Sequence, residues 1–209
     1  MRTLAIECAT DVCSAALFED GVLLGGTLEV LGRGHAEWLV PIISDLPDRG
    51  RADRILVSLG PGSFTGVRVG LAAARALALA WKAECLGYPT LALVAAMARD
   101  QQPGEAVTVC MSGGHGEWFA QDFGVDGSPL DRLVSLTPSD ANNRNNFRIL
   151  AGSKAGELAI LGGPTTSFST FCPMRAKLFS CRKSSSLPTS PRSTGARPTR
   201  SCRAVARER

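Results

Sequence analysis

The glycine-rich segment at residues 60–66 is the part of this sequence best suited to ligand chemistry. Its run Gly-Pro-Gly-Ser-Phe-Thr-Gly stands between a segment that predicts a buried strand and an alanine-rich segment that predicts a helix. Backbone amides at the start of a helix can bind an anion, and glycines let the backbone approach a ligand closely. We therefore predict anion or nucleotide contacts from Gly60, Gly62 and Ser63, with Ser63 as the helix N-cap.

The spacing within this turn supports a second interpretation. It matches neither the G-x-G-x-x-G pattern of dinucleotide sites nor a Walker A sequence, because no lysine follows the last glycine. A tight turn that lets the following helix pack closely needs the same glycines. We favour this structural interpretation over the ligand site.

Histidine chemistry is sparse, since the sequence holds only His35 and His115. A metal site on a helix would need a second ligand four residues later, and those positions are Leu39 and Phe119. No serine, cysteine or lysine stands in a recognisable arrangement with a base. We therefore predict no catalytic residue, no metal site and no cofactor bound by this chain.

The elements that must position the glycine turn follow an α/β pattern. Strands are predicted at residues 3–7, 13–18 and 22–30, the last two joined by a hairpin at Asp20-Gly21. A helix starting near residue 35, a strand at 54–59, a helix to about Trp81, a helix at 89–98 and strands at 107–111 and 118–123 follow. Regular order is predicted to fade after Pro138, apart from one short helix at 151–161.

The helix after the glycine turn predicts an interface. Small residues recur at every fourth position and form one smooth ridge, along which another helix can approach closely. Leu71, Leu77 and Leu79 offer apolar contact away from this ridge. The predicted interface residues are Gly66, Val69, Gly70, Ala74 and Ala78. Packing of the ridge against the protein's own sheet is the alternative.

Composition and charge bound the class of protein. With 44% hydrophobic and 20% charged residues the sequence is typical of a globular protein, and we expect a cytoplasmic location with no membrane contact. The seven cysteines have irregular spacings and no C-x-x-C, which argues against a disulfide framework or zinc site. Ten of the 23 Lys and Arg residues follow Phe171, with Glu208 as the one acid there. Such a tail is one that could bind nucleic acid.

Taken together, these segments resemble the TsaB (YeaZ) family over about residues 2–136. The specific motif is the run Gly-Pro-Gly-Ser-Phe-Thr-Gly-Val-Arg-Val-Gly at 60–70. Supporting matches are Gly34-His35-Ala36-Glu37 with Leu39 and Pro41, Cys13-Ser14 with Ala16-Leu17, Gly87-Tyr88 with Leu91, and Gly113-Gly114-His115-Gly116-Glu117. Glu7 departs from the family, which commonly has aspartate there.

The resemblance implies an actin-like (ASKHA, ribonuclease H-like) α/β fold. An intact N-terminal lobe with the dimerisation surface would occupy residues 1–105, and an incomplete C-terminal lobe residues 106–160. The implied function is that of a non-catalytic subunit that binds and supports TsaD, the paralogue that transfers the threonylcarbamoyl group to N6 of adenosine 37 in ANN-decoding tRNAs. A TsaE-type ATPase would join the complex, the partner subunits would carry ATP and metal, and tRNA would be contacted only through the complex.

Four alternatives remain open. The chain could be an actin-fold phosphotransferase that binds ATP at the glycine turn, or a nucleic-acid-binding protein that uses its basic tail. A glycoprotease-like hydrolase is disfavoured, because the metal ligands are missing from the sequence. A homodimer is the alternative to pairing with TsaD.

We interpret residues 161–209 as translated out of frame, with a disordered basic tail as the alternative. Residues 187–202 can be encoded so that reading two bases later gives Ala-Asp-Ile-Ala-Pro-Ile-Tyr-Gly-Arg-Ala-Pro-Asp-Ala-Gln-Leu-Pro. Members of the family end in a similar aromatic-x-Arg-Ala-Pro stretch. Sequencing the gene should therefore reveal this peptide in the second frame. A stop codon or an unrelated sequence in that frame would contradict the interpretation.

Overall fold

Two β-sheets organise the computed structural model, which describes residues 1–162 except 33, 145, 146 and 148. The first sheet has five strands in the order β3-β2-β1-β4-β5. These strands are β1 (Arg2–Glu7), β2 (Val12–Glu19), β3 (Val22–Val30), β4 (Arg54–Ser58) and β5 (Glu84–Tyr88). The predicted hairpin at Asp20-Gly21 is confirmed between β2 and β3. The predicted out-of-frame segment lies outside the described residues from residue 163 onward.

The register of the first sheet brings the loops after β1 and β4 to one edge. β1 is antiparallel to β2 and parallel to β4, which is parallel to β5. The carboxyl ends of β1 and β4 therefore point the same way, and the loops that follow them meet. Buried aliphatic side chains such as Leu4, Ile6 and Ile55 form the core beneath this edge.

Three longer helices cover the sheets. α1 (His35–Ser44) and α2 (Phe64–Trp81) contact each other and pack on the first sheet, where Leu39 and Ala74 are fully buried. α3 (Thr90–Gln101) begins directly after Pro89 and packs on the second sheet. The second core therefore begins at Leu91, inside the range predicted for the first lobe.

The second sheet has four strands in the order β8-β7-β6-β9. Its elements are β6 (Val107–Ser112), β7 (Trp118–Phe123), β8 (Val134–Leu136), α4 (Pro138–Asn143), β9 (Ile149–Ala151) and α5 (Ala155–Gly162). The prediction that order fades after Pro138 is wrong, because α4 and β9 follow. Thr137 caps α4 by accepting a hydrogen bond from the Asp140 amide, and β9 pairs in parallel with β6.

The small-residue ridge of α2 faces inward, so the interface prediction is wrong for three of its five residues. Gly66, Gly70 and Ala74 are buried against the protein's own sheet. A Cβ on Gly66 would lie 1.9 Å from the Cys8 carbonyl oxygen, and one on Gly70 would lie 3.4 Å from the Cys8 Cβ. The ridge lets α2 approach the end of β1, and no partner can reach it. Val69 and Ala78 are half-buried and pack against the first core.

The opposite face of α2 is exposed, with Phe64 75% and Leu79 84% accessible. By length and composition α2 is the one helix among the described residues that could span a membrane, and 17% of the helix is buried. Arg68 and Arg75 lie within α2 and its inner face packs on the sheet, which argues against a membrane span.

We expect Gly66→Ala to destabilise the protein by about 1–3 kcal/mol or more, because the added methyl group would overlap the Cys8 carbonyl. In an unobstructed helix the same change would stabilise by about 1 kcal/mol. Gly114→Ala is the matched control, since a Cβ there has no neighbour within 4 Å. Urea denaturation of both variants measures the difference. A Gly66→Ala variant as stable as the wild type would contradict this account of α2.

Candidate functional site

A cleft of about 540 Å³ lies between the loops of the two sheets. One wall is the loop after β1, which contributes Thr10 and Asp11, together with the glycine turn before α2. The other wall is the turn between β6 and β7 and the segment after β9. Of the predicted anion contacts, Gly62 and Ser63 line this cleft, and Gly60 does not.

Several backbone amides of the glycine turn form hydrogen bonds within the protein. The Ser63 hydroxyl accepts a hydrogen bond from the Gly66 amide at 3.2 Å, which confirms Ser63 as the N-cap. The Ser63 amide donates to the Ala9 carbonyl at 2.7 Å, and the Gly60 amide donates to the Ser58 hydroxyl at 3.3 Å. A Cβ on Gly62 would lie 1.9 Å from the Ala9 carbonyl oxygen. These contacts favour a tight packing turn, and anion binding by Gly60, Gly62 and Ser63 stays a prediction.

The facing wall contains residues that the sequence analysis did not assign to a site. Gly113, Gly114 and Ser153 line the cleft opposite Ser63. The Ser153 hydroxyl accepts a hydrogen bond from the Ser112 amide at 3.0 Å, which ties the segment after β9 to the β6–β7 turn. The paired glycines after a buried strand were the available signal. Their position opposite the glycine turn depends on how the two sheets pack, which no local pattern encodes.

Glu7 is a fully buried carboxyl group at the end of β1. Its Oε1 accepts a hydrogen bond from the Ala9 amide at 2.5 Å, and its Oε2 lies 3.2 Å from the donating Tyr88 hydroxyl. Burial raises the pKa of Glu7 above its ordinary value, although these donors oppose the shift. Glu7 therefore connects the ends of β1 and β5 and does not line the cleft.

A second buried hydrogen bond ties β4 to α3. The Ser58 and Thr90 hydroxyl groups lie 2.7 Å apart, and both side chains are buried. The Thr90 amide donates to the Gly60 carbonyl at 2.9 Å. The start of α3 is therefore fixed to the glycine turn, so the helix that packs on the second sheet is positioned from the first.

The two histidines have different surroundings. His35 is buried at the start of α1, and its Nε2 lies 2.9 Å from the Thr10 carbonyl oxygen. It thus holds the loop after β1, in which the Thr10 hydroxyl caps a turn by accepting from the Val12 amide at 3.2 Å. His115 is exposed in the β6–β7 turn. Within the described ranges no group of three His, Cys, Asp or Glu side chains could hold a metal ion.

Cys8 and Cys13 form a buried thiol pair at the base of the same loop. Their sulfur atoms are 3.6 Å apart, within hydrogen-bonding reach. The hydrogen bond with Cys13 and burial raise the pKa of Cys8, so this thiol stays neutral. Cys8 therefore packs as a small apolar side chain against Gly70 of α2.

We expect stability to depend on pH through Glu7. Folded Glu7 holds its proton more tightly than in the unfolded chain, so this contribution is complete below pH 4.5 and is lost as pH rises through the folded-state pKa. In Glu7→Gln the amide can accept from Ala9 and donate to Tyr88. The variant should therefore lose this pH dependence and be more stable than the wild type at neutral pH.

Urea denaturation between pH 4.5 and pH 8 measures this effect, at roughly 1.4 kcal/mol for each unit of pKa difference. Glu105→Gln is the matched control, because Glu105 is exposed. A wild-type curve parallel to that of Glu7→Gln would show that folding does not raise the pKa of Glu7, and a variant less stable at every pH would contradict the expected gain in stability.

The chain is similar to a known protein family and to a solved structure. The family described as "TsaD: tRNA N6-adenosine threonylcarbamoyltransferase" matches residues 27–183, more than half of the chain. The matched range includes residues 161–183, which belong to the predicted out-of-frame segment. The start of that segment stays a prediction. Crystallised YeaZ from Pseudomonas aeruginosa superposes with a TM-score of 0.68 and 26% identity, covering 81% of this chain and 84% of that one. The α/β fold predicted from the sequence is confirmed.

Two curated relatives are about one third identical to this chain over the matched residues. The Escherichia coli K12 protein TsaB, named as a tRNA threonylcarbamoyladenosine biosynthesis protein, is 33% identical over 131 residues, 60% of this chain and 56% of that protein. The tRNA N6-adenosine threonylcarbamoyltransferase of Anaeromyxobacter sp. Fw109-5 is 32% identical over 165 residues, 68% of this chain and 48% of that enzyme. The chain spans about half the length of these relatives.

Proposed function

Because this chain belongs to the TsaD family, in its TsaB (YeaZ) branch, we propose that it takes part in forming threonylcarbamoyladenosine on tRNA as a partner of a TsaD-type transferase. The observation that carries the proposal is the family match over residues 27–183, joined to the likeness to TsaB and YeaZ. The proposed role is to bind and support the transferase. A TsaE-type ATPase joins the complex, and tRNA is contacted through the complex.

The proposed role is non-catalytic, because the residues that could do chemistry serve the structure. His35 is buried against the Thr10 carbonyl, and the position four residues after it is Leu39. Glu7 is buried against Ala9 and Tyr88 and does not line the cleft. The transfer step is therefore assigned to the TsaD-type partner, which would also carry the metal and ATP.

The N-terminal lobe is the proposed contact with that partner. Its helix α2 buries one face in this chain and exposes Phe64 and Leu79 on the other. Phe64 and Leu79 are 75% and 84% exposed, so this face is accessible to a partner. The interface predicted from the sequence is thus kept on α2 but moved to its outward face.

ATP binding in the cleft is the second candidate function. The cleft is lined by backbone at Gly62, Gly113 and Gly114 and by the hydroxyls of Ser63 and Ser153, which suit phosphate groups. The Asp11 carboxyl in the same lining opposes an anion. Hydrolysis of ATP by the isolated chain would favour this phosphotransferase alternative.

Reconstitution tests the proposed function. The TsaD-, TsaE- and TsaC-type proteins of the same organism are combined with ATP, threonine, bicarbonate and an ANN-decoding tRNA, with and without this chain. We expect modified adenosine, detected by mass spectrometry of the digested tRNA, to depend on the chain. The isolated chain should modify no tRNA. Equal modification without the chain would contradict a support role.

A further inference from the structure

We propose that Cys8 and Cys13 are a modification site, at which a hydroperoxide oxidises the two thiols to an intramolecular disulfide. The site lies at the base of the loop between β1 and β2, where the two sulfur atoms are 3.6 Å apart. The proposed function makes no use of either thiol, so this inference goes beyond it and does not depend on it.

The hairpin register places the two cysteines opposite each other. β1 and β2 are antiparallel, and the last pair before the loop is Glu7 with Ser14. The next position on each side of the loop therefore pairs Cys8 with Cys13. Residues directly opposite in an antiparallel pair have Cα atoms about 4.5–5.5 Å apart, within the range of about 4.4–6.8 Å that a disulfide spans. The backbone thus allows the bond without moving either strand.

Rotation of one side chain closes the remaining gap between the sulfur atoms. A disulfide bond is about 2.05 Å long, so the two sulfur atoms must approach by about 1.5 Å. Rotation about the Cα–Cβ bond from one staggered position to the next moves a sulfur atom farther than this. A Cβ on Gly70 would lie 3.8 Å from the Cys8 sulfur, and the glycine leaves that place empty. The Cys8 side chain therefore has room to turn toward Cys13.

The hydrogen bond between the thiols prepares the pair for stepwise oxidation. This bond lowers the pKa of Cys13, so Cys13 ionises first. Its thiolate attacks one oxygen of the hydroperoxide and becomes a sulfenic acid, while the O–O bond breaks and the other oxygen leaves as water or an alcohol. The Cys8 thiol then attacks the Cys13 sulfur, the S–O bond breaks, and water leaves with the Cys8 proton. The thiols lose two electrons, and the hydroperoxide gains them.

The cleft gives a small oxidant a route to the pair. Both thiols are buried, with 2% of Cys8 and 0% of Cys13 exposed. The residues between them in the sequence, 9–12, all line the cleft. Loops of this kind open locally at a low cost in free energy, and hydrogen peroxide is close to water in size. A small displacement of the loop therefore admits the oxidant while the fold stays intact.

Two other described cysteines serve as internal references. Cys110 is buried in the second sheet, and burial raises its pKa to about 12, so it stays a neutral thiol. Cys85 is exposed on the edge strand β5. One reference is thus buried and the other accessible. Disulfide formation at Cys8 and Cys13 is expected from their pairing, which neither reference shares.

The bond would hold the loop that forms one wall of the cleft. This loop contains Thr10, whose carbonyl oxygen lies 2.9 Å from the Nε2 of His35. The fold keeps the two thiols close, so the disulfide forms more readily in the folded chain than in the unfolded one. By thermodynamic linkage the same bond must then stabilise the folded state. Oxidation is therefore expected to shift the midpoint of urea denaturation upward.

Peptide mapping of the oxidised full chain tests the inference. The folded protein is treated with hydrogen peroxide, unfolded in urea with N-ethylmaleimide to label the remaining thiols, and digested with trypsin. Residues 3–33 form one tryptic peptide, which contains Cys8 and Cys13 and no other cysteine. We expect this peptide to lose the mass of two hydrogen atoms and to carry no maleimide. Reduction with dithiothreitol should restore two thiols that react with maleimide.

Matched variants separate the pair from the other thiols. Cys85→Ser leaves the pair intact and should form the disulfide as the wild type does. Cys13→Ala should leave Cys8 reduced under the same treatment, because a buried thiol without its partner is unreactive. Circular dichroism establishes that each variant is folded. The wild-type peptide map decides the inference even where a variant at position 13 does not fold.

Three results would overturn the inference. The first is a peptide 3–33 that carries two maleimides after a peroxide treatment that oxidises Cys85. The second is a sulfinic acid on Cys8 or Cys13, or a disulfide from either of them to another cysteine. The third is a lower urea midpoint for the oxidised protein than for the reduced protein, which would show that the fold does not accommodate the bond. None of these results bears on the proposed function.

Discussion

The approach of α2 to the end of β1 sets the arrangement of everything around it. Gly62 and Gly66 stand where a Cβ would lie 1.9 Å from the carbonyl oxygens of Ala9 and Cys8. The Ser63 amide closes the same contact by donating to Ala9 at 2.7 Å. Because backbone meets backbone here, neither segment can shift without losing the hydrogen bond. This one contact fixes a wall of the cleft and also determines which side of α2 faces away from the molecule.

Buried polar groups extend this constraint through the sheet. Glu7 connects the end of β1 to Tyr88 at the end of β5, and Ser58 connects the end of β4 to Thr90 at the start of α3. Each polar group has a partner, so the cost of burying it is limited, and each partner belongs to a different element. The network therefore transmits the position of β1 to the helix that packs on the second sheet. Fold and cleft share the same few hydrogen bonds.

The sequence predicted the features whose signals are local and missed those that depend on packing. Asp20-Gly21 and the Ser63 cap were correct, because turn and cap chemistry involve neighbours within a few residues. The small-residue ridge was assigned to the wrong side, since periodicity tells which residues share a face and not which face turns inward. The strand β9 and the helix α4 were missed, because three and six residues are too short to show a period. Gly113 and Ser153 entered the cleft only through the packing of the two sheets.

The two faces of α2 leave different room for evolutionary change. On the inner face, Gly66 admits no larger side chain, because the obstacle is a main-chain carbonyl that no substitution elsewhere can shorten. On the outer face, Ala72, Arg75 and Ala76 contact solvent in the isolated chain and can be exchanged without disturbing the core. Substitutions on the exposed side of α2 can therefore follow changes in a binding partner while the fold stays the same. The inner face of α2 is thus constrained by the fold, and the outer face can change with the binding partner.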